Sequence, residues 1–137
     1  MERKPLLVKD FMAGNLVTFS PNQNVHDAVK LFVEKKISGG PVVDNRGNLV
    51  GILSEKDCFK VALNAAYHDQ WGGKVSDFMS PMVSTVEPDM RMIELVELFM
   101  KQPYRRYPVV KDNRLVGQIC RSDVLKALLV AWDQWGH

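Results

Sequence analysis

The residues of this 137-residue chain best suited to chemistry are Gly51-x-x-Ser54-x-x-Asp57, its imperfect echo Gly117-x-x-Cys120-x-x-Asp123, and the adjacent pair Arg105-Arg106. Ser54 followed by Asp57 has the form of a capping box, with a serine N-cap and a carboxylate near the positive end of a helix. The unpaired N–H groups of such a helix start also favour an anion or an ordered polar ligand. On these residues alone capping is the better reading, and ligand use is compatible with it. In the echo, Cys120 is a poorer cap and a weak hydrogen-bond donor, which Ser122 partly offsets. The guanidinium groups of Arg105 and Arg106 suit phosphate oxygens. A solvated loop or an ion pair at a subunit interface is the other use for them. His26, His68 and His137 match no metal-ligand spacing with Cys58 or Cys120, so no metal site is expected. No phosphate loop ends in Lys-Ser/Thr and no Ser-His-Asp or Cys-His set has a plausible context, so no catalytic residue is assigned and an enzyme is not expected.

Such residues need a frame, and the composition is that of one globular domain, with 46% hydrophobic and 25% charged residues. Eighteen basic against sixteen acidic residues leave a net charge of +2, too little to attract nucleic acid by bulk charge. Two cysteines without a CxxC fit reduced thiols. Met1 to Pro5 is followed only by Leu6-Leu7-Val8, far short of a signal-peptide core or a membrane span. A soluble, cytoplasmic protein with neither a nucleic-acid nor a membrane partner is expected.

The frame is duplicated. Val8-Lys9-Asp10-Phe11-Met12 recurs as Val75-Ser76-Asp77-Phe78-Met79, an offset of 67 that also relates Thr18 and Pro21 to Thr85 and Pro88, and Pro41-Val42-Val43 to Pro108-Val109-Val110. With Gly47 dropped, the offset becomes 66 and relates Leu49-Val50-Gly51 to Leu115-Val116-Gly117, Asp57 to Asp123 and Lys60 to Lys126. Two repeats result, residues 1–70 and 71–137. Each buries too little surface to be comfortable alone, so the two are expected to share a core.

Each repeat reads as strand, helix, strand, strand, helix. Val25, Ala28, Val29, Phe32 and Val33 form the apolar stripe of a helix, with Asn24 as N-cap and Asp27 at the capping-box position. Gly39-Gly40 is expected to end the helical region, and a strand to begin at Pro41 and run to Val43. Residues 44–47 form a turn, 49–53 a second strand, and Ser54 starts a helix whose apolar residues include Phe59, Ala62, Leu63 and Ala66. The second repeat follows with Met92, Leu95, Val96, Phe99 and Met100 on a helix, strands at 108–110 and 115–119 around Asp112-Asn113, and a helix from Arg121. Residues 68–74, with Gly72-Gly73, are the joint. Met79, Met82, Met90, Met92 and Met100 are read as core filling. In the tail from Ala131 to His137, Trp132 and Trp135 suggest contact with a second subunit or a partner.

These marks resemble the cystathionine β-synthase (CBS) domain family, whose members occur as tandem pairs. They are Val-x-Asp-Phe-Met opening each half, Thr-x-x-Pro at 18–21 and 85–88, Gly-Gly-Pro-Val-Val-Asp at 39–44, and Gly-Ile-Leu-Ser-Glu-Lys-Asp at 51–57. The resemblance covers almost the whole chain. It implies an α+β fold of two CBS repeats, each a small three-stranded sheet with two helices, packed through their sheets with pseudo-twofold symmetry. It implies a homodimer, and a regulatory, energy-sensing module that binds an adenosine-containing ligand (AMP, ADP, ATP or S-adenosylmethionine) and modulates an effector in another chain. A ligand-free structural or dimerisation module is the alternative.

The resemblance also assigns sites. Ser54 would offer its hydroxyl to a phosphate, and Asp57, acceptor-only, would take the ribose hydroxyls. Ile52, Val83, Tyr104, Arg105, Arg106 and Pro108 would complete this first site in a cleft between repeats. A second, weaker site would pair Cys120, Ser122 and Asp123 with Thr18, Ile37, Ser38, Gly39, Gly40 and Pro41, the two glycines leaving room for a purine ring.

Overall fold

The computed structural model describes residues 4–81 and 83–136, so Met82 of the methionine cluster and His137 of the tail lie outside the described residues. The chain forms helices α1 (Val25–Lys35), α2 (Glu55–His68), α3 (Val75–Phe78), α4 (Met92–Lys101) and α5 (Arg121–Trp135), and strands β1 (Gly39–Val43), β2 (Leu49–Ser54), β3 (Arg106–Lys111) and β4 (Arg114–Cys120). The fold is mixed α+β, and it divides into two compact units. The central unit is continuous, Val17–Val83. The terminal unit joins the segment up to Leu16 to the segment from Ser84 onward.

This division does not follow the sequence repeats, because each opening motif is built into the unit formed by the other repeat. In the central unit, Ser80 bridges Ile52 of β2 through hydrogen bonds of 3.0 and 2.9 Å, and the joint packs back onto the start of α1, with Val25 N–H on Gly73 O at 2.9 Å. In the terminal unit, Ala13 bridges Gln118 of β4 at 2.9 Å in both directions. The fit requires a bare backbone. A Cβ on Gly51 would lie 2.8 Å from both Met79 Sδ and Ser80 O, and one on Gly117 2.7 Å from Met12 Sδ and 2.9 Å from Ala13 O. Met12 and Met79 thus occupy the volume that a side chain on each strand would fill.

Antiparallel β1 and β2 pair Pro41 with Ile52, and β3 and β4 pair Pro108 with Gln118. Ile52 and Gln118 direct their backbone groups away from the proline, to Ser80 and Ala13, so the missing proline N–H costs no ladder bond. The expected first strand of each repeat is reduced to a single parallel bridge, Phe19 to Val42 and Val86 to Val109, each held by two hydrogen bonds of 2.8–3.0 Å. The strands also begin earlier than expected, at Gly39 and Arg106. Asp44 closes the first hairpin by accepting the N–H groups of Arg46 and Asn48 at 2.9 Å, with Gly47 at φ 84°. The second hairpin turns on Asp112 (φ 51°) and Asn113 (φ 67°), the two left-handed residues of a tight hairpin turn.

Helix α1 is capped by Asn24, whose Oδ1 accepts the His26 N–H at 2.9 Å. It ends at Lys36 in the left-handed region (φ 54°), with Ile37 N–H on Phe32 O at 3.2 Å. Gly39 and Gly40 therefore do not end the helix and belong to β1. Val25, Ala28 and Phe32 are buried, whereas Val33, at the end of the expected stripe, is 74% exposed and Met100 of α4 is 83% exposed. On α2 the side turned to the core carries Cys58 and Val61, and Phe59, Ala62, Leu63 and Ala66 are exposed instead.

The two cores solve one packing problem with opposite choices. In the central unit, Phe19 stacks on Phe32 at 5.3 Å, and its ring takes the space beside Gly40. In the terminal unit the matching positions are Val86 and Tyr107, and the buried Tyr107 ring lies 5.1 Å from Phe99. At this one position each core keeps an aromatic ring, supplied by Phe19 in one and by Tyr107 in the other.

Gly51→Ala and Gly117→Ala are each expected to destabilise the protein by about 1–3 kcal/mol. Gly14→Ala, which meets nothing within 4 Å, is expected to be close to neutral; urea unfolding of the three variants checks this.

Candidate functional site

In the central unit, β2 delivers Ser54 directly to the first turn of α2. Its Oγ accepts the Asp57 N–H at 3.1 Å, and Asp57 Oδ2 accepts the Ser54 N–H at 2.9 Å. Asp57 is only 7% exposed, a carboxylate kept buried by this reciprocal cap. Its second oxygen lies 3.3 Å from Lys60 Nζ, which also reaches Phe78 O at 3.4 Å. The capping box is therefore formed in full, and one carboxylate oxygen faces a cation in place of a backbone donor.

The terminal unit repeats half of this arrangement. Asp123 is 9% exposed, and its Oδ2 accepts the Cys120 N–H at 2.8 Å, with Lys126 Nζ 3.6 Å from Oδ1. The Cys120 thiol makes no cap hydrogen bond and instead accepts weakly from Gln118 Nε2 at 3.7 Å. Ser122 is exposed beside it.

The sequence-assigned residues fall into two groups that each unit assembles within itself. Gly39 pairs with Ser54, and Glu55 N–H donates to Ser38 O at 3.0 Å, so Ser38, Gly39, Ser54 and Asp57 are neighbours in the central unit. Ile37 and Ser38 also line a hollow of about 440 Å³ with Phe32, Val33, Lys36 and Glu55. Thr18 lines a second one of about 480 Å³ with Asp44 and Asn45, while Ile52 and Val83 are half-buried and Pro41 is buried. In the terminal unit Arg106 pairs with Cys120, and Arg121 N–H donates to Arg105 O at 3.1 Å. Arg105 and Tyr104 are exposed, Arg106 is half-buried and Pro108 is buried. The idea that Gly40 leaves room for a purine needs correction, because the Phe19 ring already fills that space. A Cβ on Gly39 would meet Leu53 O at 3.3 Å.

Sequence reasoning left three residues without a role. Lys60 and Lys126 stand at matched positions, each three residues after the buried carboxylate, a spacing that already places cation beside anion on a helix. Arg121 anchors the arginine-bearing loop, its Nε donating to Tyr104 O at 3.2 Å. Burial, reinforced by the Asp57 and Glu55 carboxylates, pushes the Cys58 thiol up and makes it a poor nucleophile. Burial likewise raises the Tyr107 phenol, with Tyr104 adding to the rise and Arg121 opposing it. Among the described residues no three His, Cys, Asp or Glu side chains are grouped to hold a metal, and no helix is long and apolar enough to cross a membrane.

The CBS domain model matches residues 8–64 and 75–130. An uncharacterized protein of Methanocaldococcus jannaschii, MJ1225, is 26% identical over 91% of this chain, which spans 44% of that relative's length. The crystal structure of Arabidopsis thaliana CBSX2 in complex with AMP superposes with a TM-score of 0.78 and 32% identity, covering 91% of this chain and 97% of that one. The CBS domain pair of protein MJ0100, in complex with 5'-methylthioadenosine and S-adenosyl-L-methionine, gives a TM-score of 0.72 and 26% identity, covering 93% and 98%.

Replacing the cap hydroxyl by Ser54→Ala is expected to cost about 1 kcal/mol, and supplying the missing one by Cys120→Ser to stabilise by up to about 1 kcal/mol. Thermal unfolding of both variants against the parent tests the pair.

Proposed function

The chain belongs to the CBS domain family, as two copies in tandem, and from that premise we propose that it senses an adenosine-containing ligand and modulates a separate partner protein. The observation that carries this is the buried Asp57 carboxylate at the start of α2, held by Ser54 with one oxygen left to a lysine. A ribose presents paired hydroxyls that can replace Lys60 at that oxygen, and a carboxylate accepts both without losing its cap. Related CBS pairs bound to AMP, or to 5'-methylthioadenosine and S-adenosyl-L-methionine, support the ligand class.

In this proposal the first site consists of Ser54, Asp57, Ile52 and Val83 with Tyr104, Arg105, Arg106 and Pro108. The second consists of Thr18, Ile37, Ser38, Gly39, Gly40 and Pro41 with Cys120, Ser122 and Asp123, and it binds more weakly because Cys120 supplies no hydroxyl. The first repeat spans residues 1–70 and the second 71–137. Binding, not catalysis, is the activity, and the setting is cytoplasmic. A ligand shifts the module only by its differential affinity for two arrangements, a coupling of about 1–3 kcal/mol.

A ligand-free structural role is the second reading, and the completeness of the Ser54/Asp57 cap favours it. Calorimetric titration with AMP, ATP and S-adenosylmethionine separates the two. Saturable heat is expected with at least one of the three, and none at millimolar ligand would sink the sensor. Asp57→Asn, which keeps an acceptor for the cap, is expected to weaken binding by about tenfold or more, and Asp123→Asn by less. Equal losses would reject the ranking of the sites.

The homodimer is proposed on the terminal unit's apolar groove of about 500 Å³ between α4 and α5, lined by Met92, Ile93, Val96, Leu128 and Trp135 among others. Beside it Leu125, Leu129 and Trp132 are 58–63% exposed, more apolar surface than a monomer readily keeps in water. Sedimentation equilibrium is expected to give a dimer that Leu128→Glu shifts toward monomer.

A further inference from the structure

We infer that, in the proposed homodimer, the face of α1 and α2 in one copy seats on the face of α4 and α5 in the other, so that unlike units meet and like units do not. The inference rests on the homodimer reading and names its arrangement. Both faces carry apolar surface in water. On α2, Phe59, Leu63 and Tyr67 recur at every fourth residue and are 55–76% exposed, and on α5 Leu125, Leu128, Leu129 and Trp132 are 44–63% exposed. Pairing through the terminal units alone would leave the α2 face uncovered.

The duplication supplies the comparison that chooses between the pairings. At the offset of 66, Phe59, Ala62, Leu63 and Ala66 of α2 match Leu125, Leu128, Leu129 and Trp132 of α5. Each set falls at i, i+3, i+4 and i+7, one stripe of its helix. Helix α2 therefore presents a ridge of Phe59 and Leu63 beside a groove floored by the exposed Ala62 and Ala66, and on α5 the groove positions are raised by Leu128 and Trp132. Two α5 stripes set against each other bring bulk to bulk. Set against α2, the ridge of Leu128 and Trp132 has the alanine groove to enter, and the hollow of about 500 Å³ between α4 and α5 can take Phe59.

Charge points the same way. Lys30 of α1 and Glu97 of α4 are matched at the offset of 67. Ile93 and Val96 line the hollow, and Glu97 stands one turn beyond Ile93 on the same side of α4. Lys30 and Glu97 are exposed, and among the described residues neither makes an ion pair. Like units would gather two glutamates at one seam and two lysines at another, whereas unlike units place one of each at both.

The test is sedimentation equilibrium of the whole chain at low salt, for the parent, Leu63→Lys, Leu128→Glu and an equimolar mixture of these two variants, with thermal unfolding to show that each is folded. Each variant alone is expected to be monomeric at a concentration where the parent is a dimer, because it damages both contacts of a cross-paired dimer. The mixture is expected to dimerise again, since it keeps one contact intact and sets the new lysine against the new glutamate in the other. At exposed positions, Lys30→Glu and Glu97→Lys are each expected to weaken the dimer by about tenfold, and the double variant to recover it. No recovery in either experiment means that like units pair, which would overturn the inference and leave the homodimer standing. Leu63→Lys dimerising as tightly as the parent would overturn it too. A monomeric parent would remove the homodimer and the inference with it.

Discussion

Both units depend on a methionine seated against a strand that has no side chain to offer. Met79 against Gly51 and Met12 against Gly117 leave less than 3 Å to a hypothetical Cβ, and the residue after each methionine makes a two-way backbone bridge to the same strand. The bridge gives the outer edge of β2 and of β4 a hydrogen-bonding partner, and the adjoining prolines need none. From that seat β2 and β4 run on to deliver Ser54 and Cys120 to their helix starts, where backbone N–H groups hold the buried Asp57 and Asp123.

On this shared frame the repeats have diverged where a ligand would be felt. Ser54 completes its cap with a hydroxyl and Cys120 does not. Glu55 and Arg121 make the same backbone bond with opposite charge. Gly40 cedes its space to Phe19, while Tyr107 fills the matching space itself, with its hydroxyl buried and no hydrogen-bond partner among the described residues. A duplicated scaffold with equal backbone bonds and unequal side chains yields two helix starts of different chemistry at little cost to the fold.

What was legible in the sequence was local. The Asn24 cap, the Ser54/Asp57 box, the Asp44 turn and the Asp112-Asn113 turn depend on residues within four positions of one another, and their chemistry declares itself in that window. The side of α2 that faces the core was not legible, because Cys58 and Val61 offer less apolar area than Phe59 and Leu63, and only tertiary contact decides between two apolar faces. Helix α1 was extended in expectation to the glycines because left-handed residues are usually glycine; Lys36 takes that conformation instead. The crossing of the opening motifs was invisible for a deeper reason. The copies are so alike that either motif satisfies either strand, so the repeat pattern is the same whether each serves its own unit or the other.

That crossing makes one unit continuous in sequence and the other dependent on long-range closure. The central unit, Val17–Val83, is continuous and has every residue it needs once Val83 has emerged from the ribosome. The segment ending at Leu16 precedes it and finds its partners late, first at Pro88, Met90 and Arg91, which bond Lys9, Val8 and Leu7, and then at Gln118 of β4, which bonds Ala13 more than a hundred residues on. Closure of Ala13 on Gln118, beside Gly117, spans 105 residues of chain and so carries a larger loop entropy than the contacts of Leu7 with Arg91.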